Sequence, residues 1–113
     1  MKYELLLRGR AKADIRRAAK WYERQREGLG RDFVAEVDAA LALIDPNPEQ
    51  YEVVHREIRH TILRRFPYGV FYRIRTTKIS VFVVMHLKRD DISLERIGPS
   101  LLFQPLPHLQ TLH

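Results

Sequence analysis

The apolar pattern of this chain changes period once, and that change dictates the architecture more than any single residue does. Ala11, Ile15, Ala18 and Tyr22 recur at steps of four, three and four, and Phe33, Val37, Leu41 and Ile44 at four, four and three. Both stripes are those of helices buried along one side. From His55 onward the pattern is that of strands. Three segments, His55 to Phe66, Gly69 to Arg75 and Lys78 to Lys88, are rich in Ile, Val, Phe and Tyr and are divided by Pro67-Tyr68-Gly69 and by Arg75-Thr76-Thr77-Lys78. These are strand and hairpin signals.

The first helix is predicted from about Ala11 to Glu27, closing on Gly28 of the "GLG" break. The second is predicted from about Gly30 to Ile44, stopped by "DPNPEQ" because Pro46 and Pro48 cannot continue a helix. With "KYELLLR" as an opening strand, the order is strand, helix, helix, then three strands. That order predicts a two-layer α+β domain, a helical hairpin on one side of a four-stranded twisted antiparallel sheet. On the last strand Ile79, Val81, Val83, Met85 and Leu87 are expected to share the core side, opposite Ser80, Phe82, Val84, His86 and Lys88. On the middle strand Val70, Tyr72 and Ile74 alternate with Phe71, Arg73 and Arg75, so a second face is expected to be half aromatic and half cationic.

A chain of 113 residues is one small domain, long enough to bury roughly two-thirds of its unfolded surface. It has no cysteine, so disulfides and Cys zinc sites are excluded and packing must hold the fold. No apolar run approaches the ~18 residues of a membrane span, and the start carries no cleavable signal pattern. The expectation is a cytoplasmic protein that does not engage a membrane.

The net charge is +6, unevenly placed. Between Ile58 and Arg89 stand Arg59, Arg64, Arg65, Arg73, Arg75, Lys78, Lys88 and Arg89 with no Asp or Glu, so the rest of the chain is net negative. One contiguous segment therefore holds the surface that would meet an acidic partner. Arg59, Arg64, Arg65, Arg73, Arg75, Lys88 and Arg89 are the candidate partner-binding residues. Arg64 and Arg65 would point to opposite faces of a regular strand. Phe66, Pro67 and Tyr68 read as a packed corner, and Tyr72 as core. His86 is a general acid–base candidate by its near-neutral pKa, with a structural role the simpler reading. His55 and His60, five apart in one presumed strand, face opposite ways, which argues against a metal pair; neither metal nor cofactor is expected. The basic run of the first helix (Arg10, Lys12, Arg16, Arg17, Lys20, Arg24, Arg26), relieved by Asp14, Glu23 and Glu27, reads as a solvated face.

Several stretches in this order resemble the RelE/ParE toxins of bacterial toxin–antitoxin systems: the short opening strand, "AAKWYERQREGLGRDF", "DPNP", Ile58-Arg59, "RRFPYGVFYRI" and "VMHLKRDD". The resemblance covers roughly residues 2 to 97. It implies a small basic toxin neutralised by a cognate antitoxin, expected to be acidic and partly disordered, so that folding onto the basic sheet combines charge pairing with apolar burial. Two activities occur among proteins of this kind. RelE-like members cut mRNA on the ribosome, which needs cations around the strained phosphate and a proton-transfer group. ParE-like members poison DNA gyrase.

RelE-like nucleases carry lysines on the strand that here holds His60 and Ile62, arginines at about Gly69 and Arg89, and a tyrosine at about Glu95. Only Arg89 keeps its match. The resemblance therefore points first to a ParE-like gyrase poison without enzymatic activity. The alternatives are an mRNA endonuclease using Arg59, Arg73, His86, Lys88 and Arg89, with ribosome and mRNA as partners, and a non-toxic relative that only binds. Residues 1–97 form the toxin-like domain. Residues 98–113, with Leu101, Leu102, Phe103, Leu106, Leu109 and Leu112 among three prolines, are a tail too apolar to be solvated; it is expected to pack on its own domain, the alternative being docking onto a second chain.

Overall fold

The computed structural model describes residues 3–87. Strand β1 (Glu4–Leu7) is followed by helices α1 (Gly9–Gln25) and α2 (Leu29–Ile44), a 3₁₀ turn (Pro48–Gln50), and strands β2 (Val53–His55), β3 (Ile58–Ile62), β4 (Tyr68–Arg75) and β5 (Lys78–His86). The sheet has five strands in the order β1-β5-β4-β3-β2. The expected α+β order is present, with one more strand than expected. The sheet is also mixed, because β1 lies parallel to β5, with Leu5 opposite Ile79 and Leu7 opposite Val81. The other pairs are antiparallel.

The helices form where the stripes place them. Ala11, Ile15, Ala18 and Tyr22 of α1 and Phe33, Val37 and Ile44 of α2 are buried against the sheet's inner face. Their shared interface explains two glycines. Gly28 sits at φ +88°, a left-handed conformation that glycine adopts without steric cost. It lies outside α1, which ends at Gln25, and instead forms the N-cap of α2. A Cβ on Gly30 would stand 2.5 Å from the Ala19 carbonyl oxygen, so the glycine permits the helices to approach. No serine, threonine or aspartate caps α2. Glu23, one helix away, accepts hydrogen bonds from the Gly28 and Gly30 amides, both at 3.0 Å. Those bonds, Gly28 first, hold the Glu23 carboxyl below the usual glutamate range.

The corner after β3 is packed as expected. Phe66 and Tyr68 are buried and meet Tyr22 and Phe33 with ring centroids between 4.8 and 6.1 Å apart. Tyr72 is core, its hydroxyl donating to the Pro48 carbonyl at 2.7 Å. Burial pushes that hydroxyl's pKa up.

The last strand departs from simple alternation. Phe71 pairs with Val83 while Tyr72 pairs with Val81, so β5 carries one extra residue, Phe82, opposite that step of β4. Such a bulge reverses which face the following residues meet. Ile79, Val81 and Val84 consequently pack beneath the helices, while Val83, Met85 and Leu87 join Val54, Ile58 and Phe71 on the outer face. The expected single core-facing row from Ile79 to Leu87 is thus two half-rows on opposite faces. β1 pairs only with residues 78–81. Beyond it the buried Asp14 carboxylate accepts the Val84 amide at 3.0 Å, and its other oxygen accepts from Arg17 at 3.2 Å. Asp14 therefore belongs to the helix–sheet junction rather than to a solvated face.

Candidate functional site

Along α2, Ala35, Ala39 and Leu43 recur every four residues on a side that does not enter the core. Leu43 is 62% exposed. This row forms one wall of a groove of about 580 Å³ whose other wall is Thr61, Ile62 and Leu63, at the end of β3 and just beyond it. The groove exists because β2 is so short: it pairs with β3 only at Ile58 and Arg59. Past that point the edge of β3 has no strand beside it among the described residues, and Ile62 is 39% exposed.

One end of the groove is cationic and built by a carboxylate. Glu36 of α2 accepts the backbone amides of Arg64 and Arg65, the latter at 2.8 Å. Two charge-assisted hydrogen bonds to consecutive amides set the course of the chain there. β3 ends at Ile62, so the two arginines lie in a loop, not on opposite faces of a strand. The Arg65 guanidinium turns to Asp32 at 3.5 Å and lies 5.4 Å from the Phe66 ring centroid. Asp32 also meets Arg26 at 3.8 Å. The exposed Arg64 guanidinium has no ion-pair partner among the described residues. The groove is therefore an apolar channel with an available cation at one end.

The other candidate cations lie apart from it and from each other. Arg59 sits on the helix side of the sheet, where its guanidinium donates to the carbonyls of Glu49 at 3.0 Å and Tyr51 at 2.7 Å, tying the 3₁₀ turn to β3. Arg73 and Arg75 are on the outer side, both engaged by Glu57, at 3.7 and 2.6 Å. Arg73 also covers the Phe82 ring at 5.0 Å. His86 stands at the end of β5, half-buried, 5.1 Å from the Tyr68 ring. It pairs with Tyr68, four residues along β4 from the neighbour of Arg59, a separation of roughly 13 Å. The described members of the nuclease set thus do not converge. Lys88, Arg89 and the apolar tail lie outside the described residues.

His55 and His60 are on two strands, separated by a turn in which Arg56 takes φ 52°. His55 pairs with Ile58 and His60 with Phe71, so both belong to the outer face rather than to opposite ones. Among the described residues no group of three or more potential metal ligands occurs.

The groove and the carboxylate-held loop carried no motif. Their signals were present but weak: the four-residue Ala35, Ala39, Leu43 repeat beside the buried stripe, and Glu36 within it.

The fold is shared with solved toxins. A chromosomal ParDE toxin–antitoxin system of P. aeruginosa contains a chain similar to this one with TM-score 0.69 and 15% identity, over 75% of this chain and 96% of that one. The RelBE2 toxin–antitoxin complex of Mycobacterium tuberculosis gives 0.54 and 20%, over 76% and 99%. A free-state mutant of the E. coli toxin RelE gives 0.52 and 16%, over 87% and 100%. No curated protein matches the chain in sequence. The family model for the ParE toxin of the type II toxin–antitoxin system parDE matches residues 5–91. With that match spanning both helices and all of the sheet but the first residue of β1, the chain belongs to the ParE toxin family of type II toxin–antitoxin systems.

Proposed function

We propose that this protein is a cytoplasmic toxin that arrests growth by binding DNA gyrase, and that an antitoxin silences it by laying an amphipathic segment in the groove between α2 and β3. The observation that carries the antitoxin half is the groove itself. Ala35, Ala39, Leu43 and Ile62 offer apolar burial, and the open edge of β3 offers unpaired backbone to an added strand. Arg64 stands where an acidic side chain of that segment would dock. Two of the similar solved structures are toxin–antitoxin complexes, which supports an antitoxin partner here.

The gyrase half is favoured by the dispersal of the cations. Cleaving a phosphodiester on one fixed strand needs proton-transfer and charge-stabilising groups aimed at one phosphate. Arg59 is occupied by two carbonyls on one face, Arg73 by Glu57 on the other, and His86 stands at the far end of the sheet from Arg59. An inhibitor that works by protein contact needs no such convergence. The test is induction of the chain in a bacterial host with and without the neighbouring antitoxin gene. Arrest relieved by the antitoxin, and no longer relieved when Leu43→Glu is introduced into the toxin, supports the proposal. Arrest that the antitoxin still relieves in the Leu43→Glu variant places the antitoxin elsewhere.

A further inference from the structure

The two carboxylates that divide the basic run of α1 are both engaged by backbone amides. Asp14 is turned into the helix–sheet junction, its side chain 1% exposed and bonded to the Val84 amide. Glu23 is drawn to the α2 side, where it accepts the Gly28 and Gly30 amides, and Glu27 lies beyond the helix, which ends at Gln25. The cations keep the outer face to themselves. At 3.6 residues per turn, Arg10, Arg16, Arg17, Lys20 and Arg24 fall within an arc of roughly 120°, opposite the buried Ala11, Ile15, Ala18 and Tyr22. All of these cations are exposed. Gly9 and Ala13 complete the arc, which therefore holds no acidic and no large apolar side chain. Arg17 meets Asp14 with its own side chain still 65% exposed; the others have no ion-pair partner among the described residues.

The sheet, which carries the basic segment of the sequence, offers less. Arg59 is held by two carbonyls, Arg65 by Asp32, and Arg73 and Arg75 by Glu57. The densest uncompensated positive charge among the described residues is thus the outer face of α1, a stripe of roughly 21 Å from Arg10 to Arg24.

We propose that this stripe binds duplex DNA along its phosphate backbone, without reading its sequence. An acidic peptide laid there would make exposed ion pairs, which are individually weak, and would find no apolar anchor in the arc. A polyphosphate gains further from the release of its condensed counterions, which requires no pocket. Arginine, which dominates the stripe, grips phosphate oxygens in a bidentate fork. Single strands are held largely by stacking on aromatic rings, and the arc contains none; Trp21, at its border, packs edge-on against Tyr22 at 5.1 Å. A lipid surface fits poorly because the apolar side of α1 faces the core and cannot insert. The duplex, with the highest density of phosphate charge, is the occupant that matches. This inference concerns a face other than the groove and holds whether or not gyrase is the target.

Fluorescence anisotropy of a labelled duplex of about 30 base pairs and arbitrary sequence, titrated with the full chain free of antitoxin between about 50 and 200 mM KCl, tests it. Wild type should bind with a dissociation constant of about 10⁻⁶ to 10⁻⁴ M; no binding at the lowest salt overturns the proposal. Combining Arg16→Gln, Lys20→Gln and Arg24→Gln keeps good helix formers. It should weaken binding at least about tenfold and flatten the slope of log affinity against log salt by about 2–3, since each lost phosphate contact removes about 0.9. Arg73→Gln with Arg75→Gln should change affinity less than about twofold. Equal weakening by the two sets, or an unchanged slope in the triple variant, refutes the assignment to α1. A single strand of the same length bound more tightly than the duplex, or poly-glutamate displacing the duplex at equal charge, refutes the assignment to DNA. Should the triple variant lose its thermal midpoint, Lys20→Gln alone carries the same prediction with a slope change of about 0.9.

Discussion

Replacing Asp14 with alanine removes a carboxylate that joins α1 to the part of β5 beyond β1. Its Oδ2 accepts the Val84 amide at 3.0 Å, and Val84 is 1% exposed. Without the carboxylate that N–H is buried with no acceptor, and losing a charge-assisted hydrogen bond of this kind costs about 1.5–3 kcal/mol. The Arg17 pair adds little, because the Arg17 side chain is 65% exposed and such pairs contribute below about 1 kcal/mol. Asp14→Ala should therefore cost about 2–3 kcal/mol, a fall in midpoint of roughly 10–20 °C at about 4–8 °C per kcal/mol. Asp14→Asn keeps an acceptor oxygen and should lose about 1 kcal/mol, and Arg17→Ala less than about 0.5 kcal/mol. Urea denaturation of the three variants measures this directly. If Arg17→Ala were as damaging as Asp14→Ala, the ion pair rather than the Val84 amide would be the stabilising contact and the reasoning would fail.

Three further outcomes are expected. Glu23 is held below the usual glutamate range in the folded state by the Gly28 and Gly30 amides. Its contribution should be complete above the unfolded pKa and vanish as pH falls through the folded one, so the stability gap between wild type and Glu23→Gln should close in acid; a gap that widens there would contradict the assignment. Gly30→Ala should destabilise by about 1–3 kcal/mol through its clash with the Ala19 carbonyl, whereas Gly9→Ala, with nothing within 4 Å, should be neutral or stabilising by less than about 1 kcal/mol; equal effects in thermal denaturation would remove the close-approach argument. Arg64→Glu should weaken antitoxin binding at least about tenfold with unchanged thermal stability, since a like-charge contact opposes an acidic segment, and calorimetric titration showing wild-type affinity would exclude that end of the groove.

How far the sequence could be read depended on how each feature is encoded. Both helices were legible because four-residue apolar steps over a dozen residues admit no other period, and the aromatic corner because Pro67 and Gly69 punctuate it. β2 was not legible: three residues are too few for a pattern, and its turn uses Arg56 in a left-handed conformation without the glycine or asparagine that signals one. The Phe82 bulge was hidden for a different reason. Residues 81–85, Val-Phe-Val-Val-Met, are apolar in both phases, so a one-residue shift leaves the pattern equally plausible. Parallel pairing of β1 follows from the path of the whole chain rather than from its four residues. Of the candidate cations, Arg59, Arg73 and Arg75 looked alike in sequence. Only the fold shows that the first serves carbonyls beneath the helices and the others a glutamate across the sheet. The acidic residues misled most, since Asp14 and Glu23 read as charge relief and Glu36 drew no reading, yet all three hold backbone amides.

Purified components distinguish gyrase from the ribosome as the target. Adding the protein to DNA gyrase, supercoiled plasmid and ATP, then denaturing with detergent and digesting with protease, should reveal linear DNA whose ends had been covalently joined to gyrase. The same preparation added to translating ribosomes should leave the mRNA intact. Uncut plasmid together with codon-aligned cuts in ribosome-bound mRNA would exclude gyrase poisoning and assign the toxin to the nuclease class.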